Sequence, residues 1–260
     1  MALHVCTYLT QPEKALYLFE TAKLHGVHVE NLSTTTIWNG FQDKLFAMRT
    51  KISSAADDDI LCFVDSYDLL VNASSEKIIE AFKKEDCEIL YGAETSLFPA
   101  HLNSTEYPKS YTQFRFLNSG CYIGYVRALK KVFKDERINT IKDDQEFMHL
   151  YFLENHENDT IKLNSTTTFA INMEKVPWDT LTIKKGVIHY DVFHTTPCFF
   201  HFNGMSYLDI HKDYIQMPDN QLGFNYYGVH HTLFSAILGA KVLTNSTDTV
   251  VKLTGRGHTY

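Results

Sequence analysis

Nothing in the 260 residues resembles a membrane span: no apolar run approaches the 20 or so residues a transmembrane helix needs. The N-terminal stretch Met1-Ala2-Leu3-His4-Val5-Cys6-Thr7-Tyr8-Leu9 lacks both the basic flank and the apolar core of a signal peptide, and reads as a first strand. Cysteine is sparse. Cys6, Cys62, Cys87, Cys121 and Cys198 make an odd total without a CxxC spacing, which argues against a disulfide frame and for buried thiols in a reducing compartment. Excess positive charge is also missing: the formal net charge is -7, the wrong sign for a nucleic-acid partner. No membrane partner is expected, and oligomeric state has no signature. Repeats, low-complexity tracts and dividing linkers are absent too. A single domain over residues 1–260 is therefore expected, with about 206–260 as a C-terminal extension of no evident role. The missing leader favours a cytoplasmic setting, in a bacterium or a virus-infected cell. Sequons begin at Asn31, Asn72, Asn103, Asn158, Asn164 and Asn245, and they would matter in a secretory lumen had a leader been removed.

What is present is an ordinary globular balance, 44% hydrophobic and 21% charged, enough for a sizeable core. The first third alternates strand-like and helix-like segments. Strands are predicted over 4–9, 27–32 and 88–93, with the continuous apolar run 60–64 a strand covered on both faces. Helices are predicted over 12–24, with Pro12 in the first turn, over 41–52 through Leu45, Met48 and Ile52, and from Ser74 or Ser75 to Lys84. This βαβ rhythm predicts an α/β fold with a mostly parallel central sheet and helices on both faces, whose ligand lies beyond the carboxyl ends of the strands. Further on, a strand is predicted over 116–125, helices over 127–136 and 143–153, a strand ending at His201, a helix near 231–238 and a strand near 250–253.

Asp65 and Asp68 follow the strand 60–64 directly. Two hard carboxylates three positions apart at a strand end suit Mn²⁺ or Mg²⁺, and the metal in turn neutralises a diphosphate. Acids there serve equally as turn formers. His201, again behind an apolar run, is a candidate third ligand, and Asn203-Gly204 supplies a tight turn whose amides can approach phosphate. Asp143, Asp144 and Glu146 open a helix, where capping is the plainer reading.

In order along the chain stand Phe63-Val64-Asp65-Ser66-Tyr67-Asp68, Gly92-Ala93-Glu94, Phe116-Leu117-Asn118-Ser119-Gly120, Ile123-Gly124-Tyr125, Asp143-Asp144-Gln145 and His201-x-Asn203-Gly204. Together they resemble the glycosyltransferase domain of the procollagen lysyl hydroxylases, over roughly residues 36–205. The resemblance implies a GT-A fold, a UDP-sugar donor, Mn²⁺ with Mg²⁺ as the alternative, and hydroxylysine of a collagen-like polypeptide as acceptor. By position it makes Asp65, Asp68 and His201 the metal ligands. Tyr67 and Trp38 would lie against the nucleotide, Asn203 and Gly204 would line the diphosphate, and Glu94, Asn118, Asp143, Asp144 and Gln145 would surround the sugar and the acceptor hydroxyl. Asp144, helped by Asp143, is the expected partner of the reacting centre. Four positions depart from the family pattern. Phe202 and Cys121 stand for glycines, Phe98 for a tryptophan before proline, and Tyr207 for a lysine whose charge Lys212 or Arg256 would have to replace. Phe202 is expected to reshape the approach to the phosphates. The implied activity is transfer of a hexose, glucose favoured over galactose, to hydroxylysine or galactosyl-hydroxylysine. Two rivals are an inactive UDP-sugar-binding module and an iron/2-oxoglutarate oxygenase built on His189-x-Asp191 with His230 or His231.

Overall fold

The structure is a computed structural model, described for residues 1–204 and 250–252. The buried strand Ile60–Val64 (β3 once Leu3–Thr7, β1, and Val29–Asn31, β2, are counted) is apolar at every position and lies at the heart of the sheet. Its residues alternate between two cores: Leu61 and Phe63 face one, Ile60, Cys62 and Val64 the other. Full burial of such side chains contributes about 1.5–3 kcal/mol each, so a strand with no polar face is stable only when helices cover both sides.

They do. Helices Gln42–Ser54 (α2), Val126–Val132 (α4) and Asp144–Asn155 (α5) pack on the first face, and Leu16–Leu24 (α1) and Ser75–Lys84 (α3) on the second. With Ile89–Glu94 (β5), Phe116–Tyr125 (β6) and Ile161–Asn164 (β7), the central sheet runs β2-β1-β3-β6-β5-β7, and the intervening Leu69–Val71 (β4) lies outside it. Only β6 is reversed within it; the other strands are mutually parallel. This is the α/β class expected from the sequence. A register shift between Tyr91 and Gly92 in the β5–β6 ladder brings Gly92 opposite Asn118 and leaves Glu94 at the strand end. The bulge aims polar side chains at the sheet's edge.

Two small sheets complete the described chain. Ala170–Asn172 (β8) and Phe199–His201 (β11) form one with β4, in the order β4-β11-β8. Leu181–Lys184 (β9), Val187–Tyr190 (β10) and Val250–Lys252 (β12) form the other. Two predicted helices are shorter in the structure. Residues 12–24 split into a 3₁₀ turn at Pro12–Lys14 and α1, with buried Ala15 between them. The predicted helix 127–136 stops at Val132 because the Asp135 carboxylate accepts from the Arg137 amide and caps a new 3₁₀ turn, Glu136–Asn139. The helix predicted near 231–238 lies outside the described residues.

Candidate active site

β3 ends where two sheets meet. The Asp65 amide extends the β3–β6 ladder by donating to Gly120 O at 2.7 Å, and four residues later the chain enters β4 of the small sheet. In that small sheet His201 pairs with Leu69 of β4 and with Asn172 of β8. The Phe202 amide donates to Asp68 O at 2.7 Å. The two acids and the histidine, far apart in sequence, thus converge: one ligand atom from each of Asp65, Asp68 and His201 lies within 4.8 Å of the others. His201 Nε2 is 3.4 Å from an Asp68 oxygen and 3.6 Å from an Asp65 oxygen.

The donor set suits a divalent cation. His201 Nδ1 is 2.7 Å from Asn172 Oδ1, and Asn172 Nδ2 donates to Ala93 O at 2.8 Å, which fixes the amide's orientation. The imidazole therefore donates through Nδ1–H and turns Nε2 toward the carboxylates, the tautomer of a metal ligand. Burial would lower the His201 pKa, but Asp68 and Asp65 outweigh it and hold it above the ordinary value. A negative pocket that draws a proton in this way would draw a metal more strongly. Gly120 leaves the space: a Cβ there would lie 2.2 Å from His201 Cε1 and 2.6 Å from an Asp65 oxygen.

Around this centre an open cleft of about 390 Å³ is lined by Lys44, Glu94, Asn118, Asp143, Asp144, Gln145, Asn203 and Gly204, among others. Lys44 is buried, with its ammonium 3.0 Å from Asp65 and 2.9 Å from Asp144. Burial alone would lower its pKa, yet the two carboxylates raise it, so Lys44 stays charged. Burial pushes Asp144 up against the pull of Lys44. Glu94 accepts from Asn118, Gln145 and Asn203 at 3.2, 2.8 and 2.6 Å. Burial nonetheless lifts its pKa to about 8, ahead of the opposing hydrogen bonds from Asn118 and Gln145. The Gln145 amide is fully committed: it also donates to Phe98 O at 2.8 Å and accepts from the Ser119 amide at 3.1 Å. Asp143 caps α5, accepting from the Gln145 and Glu146 amides at 2.9 and 3.0 Å, and also lines the cleft.

Trp38 and Tyr67 are not among the residues lining this cleft. Trp38 is exposed and packs on Tyr8 and on Phe41, and Phe41 does line it. The Tyr67 hydroxyl accepts from the Thr10 and Gln11 amides at 3.1 and 3.2 Å, tying the acidic turn to the loop after β1. Phe202, expected to reshape the approach to the phosphates, is not among the residues lining the cleft. It is wholly buried and stacks on Trp178, with ring centroids 5.4 Å apart. Phe98 is exposed on the rim, and Cys121 is buried. Tyr207, Lys212 and Arg256 lie outside the described residues. His189 and Asp191, offered as an iron site, are engaged with Thr196 and Thr182, and among the described residues they belong to no cluster of metal-ligating groups. His230 and His231 lie outside the described residues.

Sequence reading missed Lys44, Asn172 and Lys175. Lys44 had left a trace: it stands four residues before Met48 and eight before Ile52, at the head of the inward stripe of α2.

Comparison with known families decides what this arrangement belongs to. The family described as "PLOD GT domain" matches residues 2–221. The chain belongs to that family. Among curated proteins it is similar to "Procollagen-lysine,2-oxoglutarate 5-dioxygenase" of Drosophila melanogaster, 27% identical over 226 residues covering 80% of this chain and 31% of that protein. "Multifunctional procollagen lysine hydroxylase and glycosyltransferase" of Caenorhabditis elegans is 28% identical over 224 residues, 79% of this chain and 30% of that protein. The chain thus spans less than a third of these relatives' length. Among solved structures, a galactosyltransferase, LgtC, in complex with donor and acceptor sugar analogues covers 92% of this chain and 96% of its own, at 11% identity and a TM-score of 0.48. As a PLOD GT domain the chain is a glycosyltransferase domain, and its mostly parallel α/β sheet is the class expected from the sequence. No helix among its described residues is long and apolar enough to cross a membrane.

Proposed function

We propose that the chain transfers a hexose, glucose in preference to galactose, from a UDP-sugar to hydroxylysine or galactosyl-hydroxylysine of a collagen-like polypeptide, with a divalent metal, Mn²⁺ in preference to Mg²⁺. The convergence of Asp65, Asp68 and His201 in a cleft rich in acidic side chains supports this reading most directly. Those three residues would hold the metal, which when bound supplies positive charge to the diphosphate. The bond between the anomeric carbon and the β-phosphate oxygen breaks, and its electron pair stays on the phosphate. The acceptor hydroxyl oxygen bonds to the same carbon, and its proton passes to the departing phosphate oxygen.

The chain's own groups do the rest. The Asp144 carboxylate faces positive charge developing at the anomeric carbon, the role a carboxylate plays beside an oxocarbenium-like centre. Lys44 holds Asp144 and Asp65 in mutual register, so the metal-side and sugar-side acids move as a unit. Glu94 gathers the amides of Asn118, Gln145 and Asn203 at the sugar end of the cleft. Trp38 and Tyr67 are assigned to the nucleotide through the family pattern.

The test is UDP release with Mn²⁺, from UDP-glucose and from UDP-galactose, with and without hydroxylysine-bearing collagen peptides. Acceptor-stimulated release is expected from UDP-glucose, lost in Asp65→Ala and Asp68→Ala and reduced at least a hundredfold in Asp144→Asn, in the range seen when an electrostatic partner of the transition state is removed. UDP binding without release from either donor would sink the transferase reading and leave a UDP-sugar-binding module.

A further inference from the structure

Two cationic side chains line the cleft, and they are in different situations. Lys44 is buried between Asp65 and Asp144 and is not available to a ligand without breaking both ion pairs. Lys175 is exposed, and its ammonium donates to the Ser96 hydroxyl at 2.6 Å. Among the described residues no ion pair joins it to a carboxylate. A neutral hydroxyl is a weaker partner for an ammonium than phosphate is, so releasing Lys175 to an anion costs little.

The turn that carries Lys175 is fixed by the same pieces that fix the metal-binding triad. The Met173 amide donates to His201 O at 2.8 Å, and the Val176 amide closes the turn on Met173 O at 3.0 Å. The Glu174 amide donates to Asn203 Oδ1 at 3.2 Å, and the Thr95 hydroxyl donates to Glu174 O at 3.2 Å. The Glu174 side chain packs on Gly204, 3.2 Å from where a Cβ there would sit. Lys175 itself takes a left-handed backbone, φ 60°, a conformation that costs a long side chain and is kept where the surroundings over-determine it. A rigid, strained turn beside Asn203-Gly204 thus presents an ammonium to a cleft whose other free charges are acidic.

We infer that Lys175 is the phosphate-binding cation of the cleft, contacting the diphosphate end of the nucleotide and holding UDP more firmly than the UDP-sugar. This rests on the donor reading above. Breaking the sugar–phosphate bond leaves an additional negative charge on the terminal phosphate. A lysine beside it therefore favours the product, and with it the transition state that resembles the product in charge.

Titration calorimetry of the full chain with UDP and with UDP-glucose, in the presence of Mn²⁺, tests this. Lys175→Asn removes the charge with a residue that tolerates left-handed backbone, and Lys175→Arg keeps the charge. Lys175→Asn is expected to weaken UDP on the order of tenfold, as for loss of a charge-assisted hydrogen bond, and UDP-glucose less. The salt dependence of UDP binding should also flatten, while Lys175→Arg stays close to wild type. Unchanged UDP affinity in Lys175→Asn overturns the assignment. If wild type binds UDP and Asp65→Ala abolishes that binding while Lys175→Asn does not, Lys175 alone has been misassigned. If wild type binds no UDP, the donor reading falls and this inference with it.

Discussion

His201 can serve as a ligand only if the right nitrogen faces the acids, and a single neighbour decides which one does. Asn172 Oδ1 accepts a hydrogen bond from Nδ1–H, while Ala93 O holds the Asn172 amide against flipping. Asn172→Leu deletes the acceptor and frees the ring to rotate or change tautomer. Mn²⁺ affinity, followed by calorimetry or by the loss of the free-ion resonance signal, is expected to fall about 10- to 100-fold, the usual cost of losing such an outer partner. The ¹⁵N shifts of the His201 ring should report a changed tautomer, with the far-ultraviolet dichroism preserved. Wild-type Mn²⁺ affinity in the variant would remove Asn172 from the site. Asp65, Asp68 and His201 were legible as residues because acids and a histidine directly behind apolar runs carry a local signal. Asn172 was not. A buried asparagine in a short strand has no local signature, and its partner is 29 positions away. Lys175 was hidden for the same reason, since its place in the cleft follows from a turn whose anchors, Thr95, His201 and Asn203, are distant in sequence.

Strands and helices with an uninterrupted apolar signal were read from sequence almost to the residue. Ile60–Val64 and Phe116–Tyr125 match their predicted bounds, and Ser75–Lys84 begins at the serine named as its cap or first residue. Errors fell where a polar side chain competes with the helix, as Asp135 does, or where a buried alanine interrupts a turn. Phe202 shows a different limit, because sequence gives the identity of a side chain but not the face it takes. Reading glycine to phenylalanine beside Asn203 suggested a reshaped phosphate approach, whereas the residue following β11 is buried against Trp178 and does not line the cleft. Phe202→Ala should therefore act on stability rather than on the ligand. A loss of about 3–5 kcal/mol in denaturant unfolding is expected for a fully buried phenylalanine, with UDP affinity of the remaining folded protein close to wild type. Tighter UDP binding at unchanged stability would place Phe202 at the phosphates after all.

At the scale of the molecule, the central sheet and its two cores were foreseeable from the βαβ rhythm, while the closure of the long segment between β5 and β6 was not. That segment carries Phe98 to the rim of the cleft and is tied down by His149 on α5. The buried imidazole donates through Nε2 to Phe98 O at 2.8 Å and accepts at Nδ1 from the Tyr107 hydroxyl, an arrangement that only neutral histidine can make. Burial depresses its pKa from 6.5 to about 4, and the hydrogen bond to Phe98 offsets that only in part. Between those two values the unfolded chain binds a proton that the folded chain refuses. Stability therefore rises with pH across the window, is complete above the unfolded value, and is lost as pH falls toward about 4. The shift corresponds to roughly 3 kcal/mol at most. Carboxylates also titrate in this range, so the informative quantity is a difference. His149→Gln retains an amide donor for Phe98 O and cannot charge. Urea unfolding of wild type and variant from pH 7.5 to 4.5 should show the wild type losing more stability with acid, the gap opening below about pH 6.5. Parallel pH profiles for the two proteins would mean that His149 does not couple the closure of this segment to protonation.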